Sequence, residues 1–334
     1  MKKLFFITKI LLLSAAFANG QDPHFSQYFS SPLTLNPAMT GYMNADSRVS
    51  LNFRQQWWGV GNPFTTGTIS YDSKLMQTKI NEKDVFAVGG LALYDESLMG
   101  AFKSVDISGS VAYHKALDAD GVNKLGLGFQ FSYANRKISL DKLNFANQFN
   151  GSGFDTNIPS NETFGTLQKS YVDVNTGMLY SHLDEEREYY VGVSAYHLAQ
   201  PNTSFEKNDR YRLPIRYSTQ AGGKFNVGNG NEFFLSGHFM YQAGATEKIV
   251  GLAYGYALND NSNVYGGLWY RFNDATIPYF SVRFGIFSVG ASYDIVNSSL
   301  RDINKKNGSF ELSMNFLINQ PRNVYTNYKG GRIF

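Results

Sequence analysis

Between residues 124 and 134 the chain reads Lys124-Leu125-Gly126-Leu127-Gly128-Phe129-Gln130-Phe131-Ser132-Tyr133-Ala134. Successive side chains of an extended strand point to opposite faces. Leu125, Leu127, Phe129, Phe131 and Tyr133 therefore share one side, and Gly126, Gly128, Gln130, Ser132 and Ala134 the other. Residues 104–115 repeat the rhythm, with Val105, Ile107, Val111 and Tyr113 against Asp106, Ser108, Ser110 and His114. So do residues 308–318, with Phe310, Leu312, Met314, Phe316 and Ile318 against Glu311, Ser313 and Asn315. A soluble β-sandwich also alternates, but its water-facing sides are rich in Lys, Glu and Thr. Here the second face is mostly Gly, Ser, Asn, Gln and Tyr.

Carried along the chain, the alternation gives about fourteen strands, centred near residues 51, 69, 89, 109, 129, 177, 193, 218, 237, 252, 268, 280, 291 and 313. Each is about 10 residues, which at roughly 3.3 Å per residue and a tilt of about 40° crosses about 25 Å, the height of an outer-membrane apolar band. Backbone groups in a bilayer must all be paired, and among sheets only a closed barrel does this. The fold expected is all-β: a transmembrane outer-membrane β-barrel over residues 47–318 with about 14 antiparallel strands. Phe129 and Leu268 are expected to face lipid, Gln130 and Trp269 the lumen. An arginine at Phe129 should block insertion, whereas one at Gln130 should be tolerated by a wet interior. Loop lengths set the orientation, since such barrels have short periplasmic turns and longer outer loops. The long stretches 136–170, 199–211 and 297–307 fall on one side; 118–122, 183–188, 226–230, 259–262 and Gly285 fall on the other, with 74–83 as a longer inner turn. Both termini are then periplasmic.

The 334 residues include no cysteine, which removes disulfides, thiol catalysis and thiolate metal sites. Few charges with many aromatics and glycines argue against disorder or a helical bundle. The formal charge of +3 disappears once Lys2, Lys3 and Lys9 are set aside (3 − 3 = 0), leaving no basic stripe for nucleic acid. Those lysines flank an apolar run from Ile10 to Phe17, followed by Ala16-Phe17-Ala18, so residues 1–20 read as a cleaved signal peptide. Beyond it, no run is long and apolar enough for a transmembrane helix. Two pieces lie outside the strands: a periplasmic N-terminal segment, 21–46, and a periplasmic C-terminal tail, 319–334.

Catalytic patterns are lacking. His24, His114, His182, His197 and His238 have no metal-ligand spacing. Asp118-x-Asp120-Gly121 starts like a calcium loop without its later ligands, and reads as a hairpin turn. Gly59-x-Gly61, Gly126-x-Gly128 and Gly228-x-Gly230 do not join a strand to a helix, so they are strand or turn glycines. Asp184, Glu185, Glu186 and Glu188 form a solvated turn. No spacing supports a Ser-His-Asp triad. No catalytic, cofactor or metal residue is expected. Arg48, Arg54, Asp106, Asp173, Arg216, Lys224 and Arg271 fall on the polar faces; they either form a salt-bridged filling of the barrel or serve as a selectivity lining or plug dock. Trp57, Trp58 and Trp269 are read as interfacial girdle residues.

Gln21-Asp22-Pro23-His24-Phe25-Ser26-Gln27-Tyr28, then Leu35-Asn36-Pro37-Ala38, Gly41 and Arg54-Gln55-Gln56-Trp57, resemble the opening of the PorP/SprF family of Bacteroidetes outer-membrane proteins. Tyr71-Asp72, Arg212-Leu213-Pro214, Ala275-Thr276-Ile277-Pro278-Tyr279, Ala291-Ser292-Tyr293-Asp294-Ile295 and Gly308-Ser309-Phe310-Glu311 extend the resemblance over nearly the whole mature chain. Only the tail, Lys329 to Phe334, departs from the family pattern. The resemblance implies a non-enzymatic barrel in outer-membrane lipid, associated with type IX secretion and, in gliding species, with a surface adhesin. Its implied partners are a periplasmic ring of lipoprotein and associated subunits, and a secreted surface protein with a C-terminal sorting domain. A passive porin or small-molecule uptake channel is the alternative, and an outer-membrane hydrolase a distant third. Phe25, Tyr28, Phe29, Leu35, Asn36 and Pro37 are candidate docking residues: apolar groups on such an extension must pack into the barrel mouth or bind a partner. Asn36 and Pro37 are expected on the inner rim.

Overall fold

The computed structural model describes residues 22–57, 63–155, 157–161, 166–184, 186–205, 211–298 and 308–319. The leader, Trp58, Gly59-x-Gly61, Glu185 and the tail from 320 onward lie outside the described residues. Fourteen strands follow one another: β1 Ser47–Gln56, β2 Phe64–Leu75, β3 Val85–Ser97, β4 Phe102–Ala116, β5 Asn123–Ser139, β6 Thr166–Leu183, β7 Arg187–Tyr196, β8 Arg216–Asn226, β9 Glu232–Gln242, β10 Ala245–Asn259, β11 Ser262–Arg271, β12 Ala275–Phe284, β13 Phe287–Val296 and β14 Ser309–Ile318. Each pairs antiparallel with the next, and β14 closes on β1 from Ser47↔Ile318 to Gln56↔Ser309, giving a closed 14-strand barrel.

The alternation sets the faces. Phe131 on β5 is 61% exposed, while its neighbour Gln130 is 2% exposed and points inward. Phe129 and Leu268 also face outward, and Trp269 inward. The lumen is not the wet space that would accept an arginine at 130. Gln130 donates to the Leu33 carbonyl at 3.2 Å and accepts from Asn175 at 2.9 Å, at the border of a cavity. Gln130→Arg would give up both of these bonds.

Two further expectations change. The strands are not uniformly about 10 residues, because β5 and β6 run to 17 and 18 while β7 has 10. The tall pair stays in register up to Ser139↔Thr166. Strand β7 stops at Tyr196 because His197 (φ 63°) and Gln200 (φ 43°) turn the chain off the wall. Loop asymmetry is also weaker than expected. The end that carries the 140–165 and 197–215 connections, the long-loop end, also has tight turns at Leu98–Ala101, Ala243–Gly244 and Phe272–Asp274. Ala243 and Gly244 both have positive φ, as a two-residue hairpin turn with the strands' own twist requires. The opposite end carries the other turns, here the short-turn end.

Along β5 the outward face is apolar through Tyr133 and then polar at Asn135 and Lys137, which marks the upper limit of the lipid band. Phe131→Arg should therefore cost about 2–4 kcal/mol and abolish the heat-modifiable gel band of the folded barrel. Asn135→Arg, on the same face above the band, should leave that band intact; equal loss in both variants would place the boundary elsewhere.

Candidate functional site

The site is the barrel interior, and the chain's own N-terminal segment occupies it. From Asp22 to Asp46 the segment runs from the long-loop end to the start of β1 through three short turns, Tyr28–Ser30, Pro32–Leu35 and Pro37–Met39. Pro32 and Pro37 open two of these turns, where the missing N–H costs nothing and the fixed φ suits the first position. Asn36 caps the third turn by accepting from the Ala38 N–H at 2.8 Å. Its amide donates to the Met178 and Val193 carbonyls of β6 and β7, both at 3.1 Å. That approach needs bare backbone, since a Cβ on Gly177 would lie 1.9 Å from Asn36 Oδ1 and one on Gly128 2.4 Å from the Ala38 nitrogen. The inward glycines of β5 and β6 are thus a groove for the segment.

Apolar side chains fill the rest. Phe29 packs on Trp269 at 4.9 Å between ring centroids and meets Phe234 and Tyr279 edge-on. Tyr28 donates to Ser236 Oγ at 2.7 Å, and Trp269 Nε1 donates to the same oxygen at 3.1 Å. Trp269 is therefore a lumen residue and not a girdle residue: its indole is buried beneath the plug. Phe25, Tyr28, Leu35, Asn36 and Pro37 are all buried and Phe29 is half-buried. The expected rim position of Asn36 and Pro37 is corrected by the same geometry. The wall's exposed carbonyls and glycines draw them inside the barrel, so they present nothing at its mouth.

The inward charges form three clusters along the plug. The most buried is a set of four. Arg54 meets Asp294 at 2.8 Å and Glu311 at 3.3 Å, and Arg271 meets Asp294 at 2.5 Å. Ser26 sits at the centre: its hydroxyl contacts Arg54 at 2.6 Å and Asp294 at 2.7 Å. Glu311 accepts from the Ser26 and Gln27 N–H groups at 2.8 and 2.9 Å. Nearer the short-turn end, Arg48 pairs with Asp72 at 2.8 Å and also donates to the Met39 and Tyr42 carbonyls. At the long-loop end, Asp22 meets His197 at 2.6 Å and Arg216 at 3.1 Å, and His197 meets Asp173 at 2.5 Å. Of the charges picked from sequence, Arg48, Arg54, Arg216 and Arg271 touch the plug directly and Asp173 acts through His197. Lys224 pairs instead with Glu188 at 3.4 Å. Asp106 bonds Ser104 at 3.1 Å and faces a cavity.

Sequence reading missed Asp22, Ser26, Asp72, Asp294 and Glu311 as partners. One signal was available: each of the last three is a lone acid on the inward face of its strand. The plug separates a cavity of about 870 Å³ at the long-loop end, lined by Asp95, Asp106, Arg136 and Tyr171 among others, from one of about 320 Å³ near Tyr42, Glu188 and Lys224. Among the described residues no group of His, Asp or Glu could hold a metal ion.

A family model described as type IX secretion system membrane protein PorP/SprF matches residues 17–316. The chain belongs to the PorP/SprF family. Membership associates this PorP/SprF barrel with the type IX secretion machinery, and the closed antiparallel barrel fits an outer-membrane location. No curated protein matches it in sequence. Among solved structures it is similar to the Ralstonia pickettii toluene transporter TbuX, at 10% identity and TM-score 0.48, covering 86% of this chain and 91% of that one. It is also similar to a Pseudomonas aeruginosa FadL homologue, at 10% identity and TM-score 0.48, covering 84% and 92%. The Pseudomonas putida toluene transporter TodX gives 8% identity and TM-score 0.48, covering 88% and 93%.

The Asp22 latch lies beyond the strands and titrates. Burial opposes the His197 imidazolium, but Asp22 and Asp173 outweigh it and push its pKa up from 6.5 to about 9. Burial likewise opposes the Asp22 carboxylate, yet His197 and Arg216 hold it well below its ordinary 3.8. The histidine's contribution is complete below 6.5 and lost as pH rises through about 9; the aspartate's is present above 3.8 and lost as pH falls. The stability gap between the native chain and His197→Gln should thus be widest between about pH 4 and 7, on the order of 3 kcal/mol, and close above about pH 9. Urea unfolding in detergent at several pH values measures it, and a gap independent of pH would remove the latch.

Proposed function

We propose that this protein is a non-enzymatic, self-plugged outer-membrane barrel that supports secretion or surface anchoring of a cargo protein by the type IX system and contacts the periplasmic secretion ring. The observation that carries the reading is the occupied lumen. With the segment from Asp22 to Asp46 bonded to opposite walls and three charge clusters along it, the barrel has no bore for a folded or extended polypeptide. It must act through its surfaces. Cargo with a C-terminal sorting domain then meets the long-loop end, placed outside, and the ring meets the short-turn end, where residues 76–84 form the longest connection. The buried position of Asn36 and Pro37 moves ring contact from those residues to these turns. Asp22, at the end away from the start of β1, fits removal of the 1–20 leader before the barrel closes.

The porin alternative makes opposite predictions. Purified barrel in a planar bilayer should show no steady porin-sized conductance, whereas the double variant Arg54→Ala/Arg271→Ala, which removes both guanidinium contacts to Ser26, should show intermittent openings. In cells, loss of the protein should abolish surface display of its cargo and co-purification of ring subunits. Steady conductance of the native barrel with normal display would replace this reading by the porin. Orientation is checked separately in the cysteine-free chain: Gly151→Cys should react with an impermeant maleimide on whole cells and Asn229→Cys should not.

A further inference from the structure

The wall has one open flank. Pairing between β6 and β7 runs only from Thr176↔Ala195 to Leu183↔Glu188, so β6 continues above it as far as Thr166 with a partner on the β5 side alone. One last bond, from the Leu198 N–H to the Val174 carbonyl, ends the contact before the chain turns inward. A strand's backbone groups alternate sides with a period of two. The N–H and C=O of Val172, Ser170 and Gln168 therefore face the same side as the Val174 carbonyl, and among the described residues no strand meets them. Val172, which points outward, is 70% exposed, more than any other large hydrophobic residue among the described ones. Such an edge is a ready template for another strand.

Its side chains select the occupant. Arg136 and Lys169 are opposite one another in the β5–β6 register, and Lys137 is opposite Gln168. None of these three cations has an ion-pair partner among the described residues; Arg136 lies 5.2 Å over the Tyr171 ring with its Nε unbonded. Lys169 is on the edge strand itself and points inward, and Lys137 points outward from β5, one strand behind the edge. The outward Gln168 and Ser170 are polar, which places them above the lipid band, while Val172, opposite Tyr133, lies at its upper limit; the partner meets the edge from the water side.

We propose that the free edge of β6 from Gln168 to Val172 is a strand-addition site for an extended, acidic segment of an extracellular partner protein. Main-chain bonds to Gln168, Ser170 and Val172 supply the affinity, and Lys137 and Lys169 supply the preference for carboxylates. The site presupposes the outward orientation given above and names the kind of segment that the outer end takes. Its test uses purified full-length barrel and not display, so the two readings can fail separately.

The probe is a fluorescent peptide of about ten residues alternating threonine and glutamate, followed by polarisation against the detergent-solubilised barrel. It should bind more tightly than its threonine–lysine counterpart. N-methylation of alternate peptide nitrogens should weaken it roughly tenfold or more, the scale of a lost main-chain hydrogen bond together with strand continuity. Ser170→Pro and Gln168→Pro, whose N–H groups are not used by the β5 ladder, should do the same while the heat-modifiable band persists. Ser170→Ala should bind as the native chain does, and Lys137→Glu/Lys169→Glu should reverse the preference between the two peptides. Equal binding of both peptides by the native barrel, indifference to N-methylation, or an edge-paired dimer of the barrel abolished by Ser170→Pro would each overturn the assignment.

Discussion

Glu311 and Asp294 sit on neighbouring strands with essentially no solvent around them, and an uncompensated buried carboxylate costs several kcal/mol. Their compensation comes from two directions at once. Arg54 reaches them from β1 and Arg271 from β11, so two positive charges balance two negative ones. Ser26 and Gln27 of the plug deliver backbone N–H groups to Glu311. Arg54 and Glu311 are also directly opposite in the ladder that closes the barrel. A slip of one residue in that ladder would turn Arg54 toward lipid. Buried ion pairs are poor sources of net stability. What this one supplies is register, because only a single closure of β1 on β14 satisfies all four charges.

The barrel was legible from local pattern because membrane geometry repeats the same constraint on every strand. Phe131 and Gln130 differ by one position and by nearly the whole scale of exposure. All fourteen expected centres fall within observed strands. Strand lengths were less legible. The sequence placed the connection after β7 at 199, close to the observed end at Tyr196; what it did not show is the cause, His197 drawn inward by Asp173 and by Asp22, a residue far away in sequence.

The plug's path was hidden for the same reason. Its turns have no periodicity to read, and its bonds connect residues such as Gln27 and Glu311 from opposite ends of the chain. A trace was nonetheless present in the glycines. Gly128 and Gly177 are paired across β5 and β6, both inward. Two adjacent bare positions on a face otherwise filled by Ser, Asn and Gln mark where another backbone comes close. Read as ordinary strand glycines they say nothing; read in register they outline the groove that holds Asn36 and Ala38.

No strand ladder joins the plug to the wall. Its attachment consists of side chains reaching backbone groups, as when Ser194 donates to the Leu35 carbonyl or Asn36 spans two strands, together with the charge clusters. Docking of the segment therefore adds no strand pairing of its own, yet it completes the polar contacts of the closing seam. If β14 approached β1 over an empty lumen, Glu311 would keep Arg54 but lose both backbone donors, and Asp294 would lose the Ser26 hydroxyl. The bond between Trp269 and Ser236 would likewise stand over an unfilled space where Tyr28 and Phe29 now pack. Closure of the seam and docking of the plug are consequently a single cooperative event. The 21–46 segment belongs to the barrel's folding unit as fully as any strand, although it carries no strand itself.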